Sequence, residues 1–384
     1  MSLFFAGREK RAVFTEPEIP RPSAARSTFA RINLARAESS LQKVAVWAAV
    51  DVIASLVSTL PLDVYRGVGK ARKELDKPKV MVDPAGDGYG LDDWVYQYML
   101  SLLLRGNTYG TVGDRDRLGN PKQVVLYHPD EVQGWRDPKS GEPQWRAGGK
   151  KVPADEMWHR RAYPVPGRLL GLSPVEHHAM TIGLGLAASR FGMQWFEDGA
   201  HPSGMLTNDA ALDAGQARTA KERFMASLRG SREPVVLGQG WKWAPISVSA
   251  NESQFLETQR YTSAECARIY GPGMPEILGY DTGGSMTYAN VEQRSLDLLT
   301  YALDRWLVRT ERMFTGMLPE GQYAKYNRSA LARTDLLTRF RAHAIALQNR
   351  WEVVNEVRDL EDMAPVDWGD KPNELPAPTI KISD

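Results

Sequence analysis

Apolar positions along this chain follow two different periods, and their alternation predicts an α+β fold. Steps of three and four residues, which place side chains on one face of a helix, predict helices over about Leu41–Thr59 and Leu91–Arg105. Between them, Leu62–Arg66 alternates as a half-buried strand does, and a polar loop is expected over Gly67–Lys79. The N-terminal part of the chain is therefore expected to pack helices beside strands.

The stretch from Asn107 to Pro166 is rich in short strands. Turn residues separate the candidate strands, which are Thr108–Val112, Gln123–Tyr127, Val132–Arg136, Gln144–Arg146 and Glu156–Arg160. We expect Trp135, Trp145 and Trp158 to fill the small core of this region, because an aromatic cluster at such spacing is more often core than ligand site.

Two long helices with a small tip between them are predicted over Leu172–Gly271. Ser173 has the chemistry of an N-cap, Pro174 suits the first helical position, and Glu176 follows three residues after the cap. A second helix is expected over about Asn251–Tyr270, where a Gly-Pro pair ends it. This stretch is the organising feature of the chain.

The tip between these helices is predicted to be a small α/β unit. Its expected elements are a strand over Ser203–Thr207, a helix from Asp209 or Asp213 to about Leu228, and strands over Pro234–Gly238 and Trp241–Ile246. Trp241 and Trp243 are two residues apart on the last strand and therefore share a face. That face needs cover from the tip helix or from a neighbouring molecule.

The C-terminal third is expected to be mainly helical. Its predicted elements are a tight turn at Pro272–Leu278, a glycine-containing loop, a long helix over Tyr288–Met317, a strand over Tyr323–Asn327, and helices over Ser329–Asn349 and Val353–Asp362.

Charge and cysteine content narrow the range of functions. The 384 residues carry a formal net charge of +1, so any nucleic-acid contact is expected to be local, sparse or mainly steric. A single cysteine, Cys266, excludes an internal disulfide.

The longest apolar run, Val44–Val57, is too short to span a bilayer and contains Asp51, so no membrane contact is predicted. The basic stretch Met1–Arg36 is either a solvated arm or an arm that lies against a neighbouring subunit or nucleic acid.

A search for catalytic motifs finds none that meets its structural requirements. Gly67–Ala71 lacks the spacing and the hydroxyl residue of a phosphate-binding loop, and Gly183–Ala188 resembles a dinucleotide fingerprint but falls inside a predicted helix. His177 and His178 are adjacent, so their side chains leave a helix ~100° apart and cannot share a metal. Cys266 is expected to be a small buried apolar residue. We predict no catalytic residues, no metal and no cofactor.

Several local patterns occur along the chain in a defined order. They are Ala45–Val50 followed by Leu60–Tyr65, Arg105-Gly106-Asn107-Thr108-Tyr109, Gly171-Leu172-Ser173-Pro174, Gly199–Gly204, Gln254–Glu257, Thr287–Gln293, and Asn349-Arg350-Trp351 with Asn355–Arg358. Together they resemble the portal (head–tail connector) proteins of tailed double-stranded DNA bacteriophages, in their short prophage-type branch. The similarity extends over about Leu41–Asp367. The turn Gly271–Pro275 departs from the proline pattern of that family, which leaves the boundary of the following loop open.

The resemblance implies a portal-like α+β subunit. Its expected parts are a basic N-terminal arm (1–40), the first part of an α/β wing (41–172), a stem helix (173–198), a small α/β clip (199–250), a second stem helix (251–271), a turn and tunnel loop (272–289), a long wing helix and strand (290–328), and a helical crown with the C-terminal tail (329–384).

The same resemblance implies a structural role. Such proteins form a closed homo-oligomeric ring, usually a dodecamer, at one capsid vertex, and double-stranded DNA passes through it non-specifically during packaging and ejection. The implied partners are terminase, head-completion or connector proteins, and the major capsid and scaffold proteins. The implied location is the virion, after assembly in the host bacterial cytoplasm.

Two groups of residues are the candidate sites under this resemblance. The tunnel loop facing DNA would comprise Asp281, Thr282, Gly283, Gly284, Ser285, Met286, Thr287 and Tyr288. Because this loop has no Lys or Arg, it predicts a steric and weakly polar collar, with a plain surface connection as the alternative. Clip residues that would meet partners or the adjacent subunit are Arg218, Lys221, Arg229, Trp241, Lys242 and Trp243.

Two other functions remain open from the residues alone. One is a ring-forming capsid or tail adaptor that does not itself pass DNA. The other is an enzyme whose active site forms between subunits, which the lack of a catalytic motif disfavours.

Overall fold

The computed structural model describes residues 37–197, 204–208, 213, 215–216, 218–220, 222, 241–245, 252–280, 297–328, 336–361 and 363–372. Helices and short antiparallel sheets both occur, which confirms the expected α+β class. The chain divides into two compact units. Unit 1 comprises Met1–Val52, Tyr98–Thr111 and Leu126–Thr282, and unit 2 comprises Ile53–Gln97, Val112–Val125 and Gly283–Asp384.

The helices of the described residues, numbered in chain order, are α1 Val44–Thr59, α2 Gly90–Arg105, α3 Pro174–His177, α4 Ala179–Glu197, α5 Glu252–Arg268, α6 Met274–Ile277, α7 Asp304–Thr315, α8 Leu336–Gln348 and α9 Val354–Leu360. A π-helical stretch, Leu298–Leu303, leads directly into α7. Short 3-10 helices occupy Ala37–Gln42, Gly69–Ala71, Lys79–Met81 and Pro129–Glu131.

The described strands are β1 Leu62–Arg66, β2 Lys73–Leu75, β3 Asn107–Val112, β4 Val124–Tyr127, β5 Val132–Arg136, β6 Pro143–Ala147, β7 Lys150–Val152, β8 Met157–Arg161, β9 Gly204–Asn208, β10 Trp241–Pro245 and β11 Gln322–Tyr326. They form sheets in the orders β11-β1-β2, β4-β3-β8 and β5-β6-β7, together with the two-stranded ribbon β10-β9.

In unit 2, α7 is hydrogen-bonded to the edge strand β11 by its side chains. The carboxylate of Glu311 accepts a hydrogen bond from the Tyr326 backbone N–H at 3.0 Å, and the Thr315 hydroxyl accepts one from the Ala324 N–H at 3.1 Å. Arg328, just beyond the strand, pairs with Glu311 at 3.2 Å and with Asp304 at 3.0 Å. These bonds give the unpaired side of β11 partners that water would otherwise supply.

In unit 1, the core of the β-rich region forms around Trp145, with Tyr109, Val132, Ala147, Met157 and Leu169. The prediction for the tryptophans is partly wrong. Trp145 and Trp158 are buried, but 39% of Trp135 is exposed. Alternation along β5 points Val132 inward and Trp135 outward, and the Trp145 ring occupies the space beside Gly134.

Several element boundaries differ from expectation. The loop predicted over Gly67–Lys79 contains β2, which pairs with β1, and the stretch between the predicted strands Gln144–Arg146 and Glu156–Arg160 contains β7. The helix predicted from Ser173 is interrupted at His178, whose backbone leaves the helical region at φ −105° and ψ 24°. Pairing and local backbone geometry decide these cases, because runs of three or four residues carry too little periodicity to reveal them.

Candidate functional site

Polar side chains join the end of α2 to the start of α3. Arg105 is largely buried, and its guanidinium pairs with Asp130 at 2.5 Å and with Glu176 at 3.2 Å. Ser173 accepts a hydrogen bond from the Glu176 N–H at 3.2 Å, which confirms the predicted N-cap, and its hydroxyl donates to the Leu104 carbonyl at 3.0 Å. We call Arg105, Asn107, Asp130, Ser173 and Glu176 the α3 anchor.

The side chain of Asn107 makes four hydrogen bonds within and beside the α3 anchor. Its amide nitrogen donates to the carbonyls of Arg105 and Gly171 at 3.0 and 2.9 Å, and its amide oxygen accepts from the Gly171 N–H at 2.8 Å. The same oxygen lies 3.1 Å from Nε2 of His159, so that nitrogen carries the proton. Burial, together with the charges of Arg161 and Arg160, lowers the pKa of His159 to about 4. The histidine is therefore neutral near pH 7.

Two glycines let the backbones of the α3 anchor approach each other. Gly106 has a φ of +67°, and a Cβ there would collide with the Leu172 carbonyl. A Cβ at Gly171 would collide with the carbonyls of Ala162 and Gly106. The patterns Arg105-Gly106-Asn107 and Gly171-Leu172-Ser173-Pro174 are thus two halves of one structure, which their sequence separation did not reveal.

Helices α4 and α5 pack against each other, and their assignment as the two stem helices stays a prediction. Cys266 is buried in this contact, and its thiol lies 3.9 Å from the Thr181 carbonyl. Burial raises the pKa of the Cys266 thiol to about 11, although the nearby Lys43 charge opposes this. The prediction of a small buried residue at Cys266 is therefore confirmed.

Lys43 is a buried cation beside the same helix pair. Only 5% of it is exposed, and its ammonium group donates to the Gln259 side chain at 3.4 Å. The aliphatic part of the Lys43 side chain fills the space beside Gly185 of α4. A Cβ added at Gly185 would lie 3.0 Å from the Lys43 Cε. Burial lowers the pKa of Lys43 below its ordinary value. No pattern in the sequence indicates that Lys43 is buried.

Helix α4 also carries apolar side chains that point to solvent. Met180 and Phe191 are 64% and 52% exposed, and Leu184 and Met193 are likewise exposed. Met180, Leu184 and Phe191 are spaced by four and seven residues, so they lie along one side of the helix. We call these three residues the α4 apolar stripe. Exposed apolar patches of this kind are typical of protein-interaction surfaces.

The candidate clip residues are only partly described. In the β9–β10 ribbon, Trp241 is paired with Asn208 and Trp243 with Leu206, and the predicted shared face of the two tryptophans stays a prediction. Lys242, between them in β10, is exposed, and so is Arg218. The remaining candidates, Lys221 and Arg229, lie outside the described residues, as do the predicted strand Pro234–Gly238 and most of the predicted tip helix.

The candidate tunnel loop lies wholly outside the described residues, which end at Tyr280 and resume at Asp297. Before this gap, the turn predicted at Pro272–Leu278 contains the short helix α6. Gly279 follows it with a φ of +75°, a conformation that favours glycine. The assignment of Asp281–Tyr288 to the channel therefore stays a prediction.

Within the described residues, one group has the donor atoms of a metal site: Glu38, His128 and Asp130. Glu38 lies 2.5 Å from Nε2 of His128, and this hydrogen bond is the main cause that lowers the pKa of Glu38. Asp130 is already paired with Arg105, whose positive charge would oppose a cation at the same carboxylate. All three residues are exposed.

None of the described helices is long and apolar enough to span a bilayer.

Comparison with known proteins identifies the family. A family model described as "Phage portal protein" matches residues 44–362. The chain belongs to the phage portal protein family. A role in DNA packaging follows from this membership, and the predicted resemblance is confirmed.

Named relatives agree with the family match. The probable portal protein of Streptomyces phage phiC31 is 28% identical over 355 residues, which cover 86% of this chain and 76% of the relative. The portal protein of Enterobacteria phage HK97 is 23% identical over 359 residues, which cover 87% of this chain and 81% of the relative. Both alignments span most of each protein.

Solved structures show the same fold. An HK97-family phage portal protein from Corynebacterium diphtheriae matches with a TM-score of 0.60 at 17% identity, covering 79% of this chain and 98% of the other. A chain in the neck of a native gene transfer agent particle, computed with C12 symmetry, matches with a TM-score of 0.58 at 19% identity. That match covers 87% of this chain and 94% of the neck chain. The portal-like fold class is thereby confirmed.

Proposed function

We propose that this portal-family protein forms a closed ring that serves as the channel for double-stranded DNA during packaging and ejection. The observation that carries the proposal is the family match over residues 44–362, which includes the α3 anchor, the stem helices and the ribbon. A ring of twelve copies is the proposed assembly, supported by the twelvefold symmetry with which the matching neck structure was computed. Its site is the portal vertex of the particle, after assembly in the host cytoplasm.

The α4 apolar stripe supplies a contact for the ring. An exposed row of large apolar side chains on a stem helix gains about 25 cal/mol for each Å² that a neighbouring copy removes from water. Contacts in a cyclic ring are heterologous, so the stripe would meet a different surface of the next copy.

The remaining sites are assigned to separate tasks. The tunnel loop Asp281–Tyr288 would form a steric and weakly polar collar around DNA, because a loop without cations adds little salt-dependent affinity for phosphates. The ribbon that carries Trp241, Lys242 and Trp243 would meet terminase and later the head-completion proteins. In this proposal the capsid and scaffold proteins contact the ring, and the chain itself is structural and not an enzyme.

Symmetry and mass of the purified protein test the ring. We expect negative-stain images with a central hole and a native mass of twelve copies. Leu184→Glu should shift the population toward free subunits, because it places a charge in the contact. The matched control Leu118→Glu makes the same change at an exposed leucine in the turn between β3 and β4 and should leave the ring intact. A wild-type protein that stays monomeric under all assembly conditions would overturn the proposal.

A packaging assay separates a DNA channel from an adaptor ring. Replacing Gly283 and Gly284 by bulky residues should block DNA packaging while ring assembly persists. Unchanged packaging would count against the tunnel-loop assignment and favour the adaptor. Nucleotide hydrolysis by the purified chain would instead favour an enzyme.

A further inference from the structure

The β5-β6-β7 sheet of unit 1 has an outward surface whose composition differs from an ordinary solvated face. Gln133, Arg146 and Lys151 are directly opposite one another across the three strands, and Trp135 is opposite Gln144 in the adjacent row. The inward positions between them, such as Val132 and Trp145, belong to the core. We call Gln133, Trp135, Gln144, Arg146 and Lys151 the outward face.

The charges of the outward face are not balanced within the sheet. Arg146 and Lys151 form a directly opposed pair of like charges, an arrangement that destabilises a sheet. Both are exposed, and neither has an ion-pair partner among the described residues. None of the outward positions within these three strands is acidic. Repulsion between Arg146 and Lys151 therefore weakens the isolated sheet. A negatively charged group that contacts both side chains would relieve this repulsion.

An exposed tryptophan lies beside this cationic row. Trp135 is 39% exposed, and the Arg146 guanidinium lies 5.9 Å from the centre of its ring, within cation–π range. Tryptophan and arginine are the residues that most often carry binding energy at protein interfaces. The composition of the outward face thus indicates an acidic protein partner with aromatic or apolar character.

Unit 2 carries a surface of that complementary kind. The segment Asp83–Asp93 runs through a loop into the first turn of α2, and we call it the acidic loop. It contains four aspartates, and no Lys or Arg occurs between Lys79 and Arg105. At its exposed tip, 73% of Tyr89 is accessible to solvent.

The four aspartates of the acidic loop differ in their availability. Asp83 accepts hydrogen bonds from the Gly86 and Gly88 N–H groups at 2.9 and 3.1 Å, and Asp93 accepts one from Gln97 at 2.6 Å. Asp87 accepts one hydrogen bond, from the Tyr89 N–H to its Oδ1 at 3.2 Å, but both Asp87 and Asp92 are exposed and have no ion-pair partner among the described residues. Two carboxylates beside an exposed tyrosine are therefore open to a partner.

We propose that the outward face of one copy binds the acidic loop of the next copy, with Arg146 and Lys151 contacting Asp87 and Asp92 and with Trp135 contacting Tyr89. Two complementary patches at different places on one chain are what a head-to-tail ring requires. The inference rests on the proposed ring and names a second contact within it, separate from the α4 apolar stripe.

Charge reversal on each side, alone and together, tests this contact in the full-length protein. Arg146→Glu with Lys151→Glu, or Asp87→Lys with Asp92→Lys, should each lower the assembled fraction at fixed concentration by about tenfold or more, since like charges across an interface cost several kcal/mol. The four-site variant restores opposite charges and should recover assembly to within about twofold of the wild type. Native mass and negative-stain counts give the assembled fraction.

Two further measurements check that each variant folds and whether the outward face binds DNA instead of the acidic loop. Circular dichroism and thermal melts check each variant, and the neutral versions R146Q/K151Q and D87N/D92N replace any reversal that fails to fold. The inference is overturned if single-sided changes leave the assembled fraction unchanged, or if folded four-site protein does not recover it. A drop in salt-dependent binding to a 30-base-pair DNA duplex without loss of rings would assign the outward face to DNA instead. A wild type that forms no ring would overturn the proposed function itself.

Discussion

The α3 anchor and the α4–α5 helix pair differ in what stabilises them. In the anchor, directional hydrogen bonds and ion pairs among Arg105, Asn107 and Glu176 join segments far apart in sequence. In the helix pair, apolar packing around Cys266 dominates, and the ammonium group of the buried Lys43 has one long hydrogen bond among the described residues, to Gln259. Removing one partner from a buried polar network leaves another polar group unsatisfied, which lowers the free energy of unfolding sharply. Shortening an apolar side chain lowers it in proportion to the volume of the cavity that is left. The two regions should therefore respond differently to substitution.

The largest effect is expected from Gly171→Ala in the α3 anchor. The new Cβ would collide with two backbone carbonyls that belong to different segments, so the backbone must move. We expect a loss of about 3 kcal/mol or more in the free energy of unfolding, measured by urea denaturation. The control is Gly183→Ala in α4, where a Cβ meets nothing within 4 Å. This change should stabilise the protein by about 0.5–1 kcal/mol, because alanine favours helix. Equal effects at both sites would contradict the close approach at Gly171.

Asn107→Ala should follow in size. It leaves the N–H and C=O groups of Gly171 without their side-chain partner, at a cost of about 1–3 kcal/mol for each buried group that stays unsatisfied. The measurement is again urea denaturation, with Asn120→Ala in the turn that follows β3 as the comparison. A loss no greater than at Asn120 would show that water replaces the lost bonds.

Acidification should weaken the α3 anchor through His159. Its pKa is lowered to about 4 in the folded protein, while an unfolded histidine titrates near 6.5, so between these values the unfolded chain binds a proton that the folded chain does not. Stability is therefore complete above pH 6.5 and falls as the pH drops toward 4, by on the order of 3 kcal/mol in total. Denaturation of the wild type and His159→Phe across this range measures the difference. The control Lys150→Met changes an exposed residue without removing an imidazole and should keep the wild-type slope.

The smallest effect is expected in the helix pair, at Lys43→Met. Methionine retains an unbranched apolar chain and removes a buried ammonium group that has no carboxylate partner among the described residues. We expect stability that is unchanged or higher by about 1–2 kcal/mol, in contrast to every change in the α3 anchor. Thermal melts compare it with Lys150→Met, an exposed position. A loss above about 2 kcal/mol would show that the ammonium bond to Gln259 is essential.

Long periodic segments were predicted well from the sequence. Helices α1, α2 and α5 and strands β1, β5 and β11 lie within a few residues of their expected bounds. Each of these helices carries several buried positions at the helical period, which makes its pattern easy to recognise. The N-cap at Ser173 was predicted from local chemistry alone, since capping depends on residues within one turn. The tunnel loop and several clip residues stay predictions.

The orientation of single side chains could not be predicted in the same way. Trp135 and Trp145 have the same chemistry and similar spacing, yet one is exposed and the other is in the core, because strand register decides which positions face inward. Short elements such as β2 and β7 form only because a longer neighbour pairs with them.

The sequence by itself determined the α+β class, the order of the long elements and the portal resemblance, because these depend on local periodicity and on the order of short motifs. Tertiary structure alone decided that Arg105-Gly106-Asn107 and Gly171-Leu172-Ser173-Pro174 form one anchor, that Lys43 lies beside Gly185, and that Trp135 joins a cationic outward face. These features join residues far apart in the chain, and such proximity arises only when strands pair and helices pack.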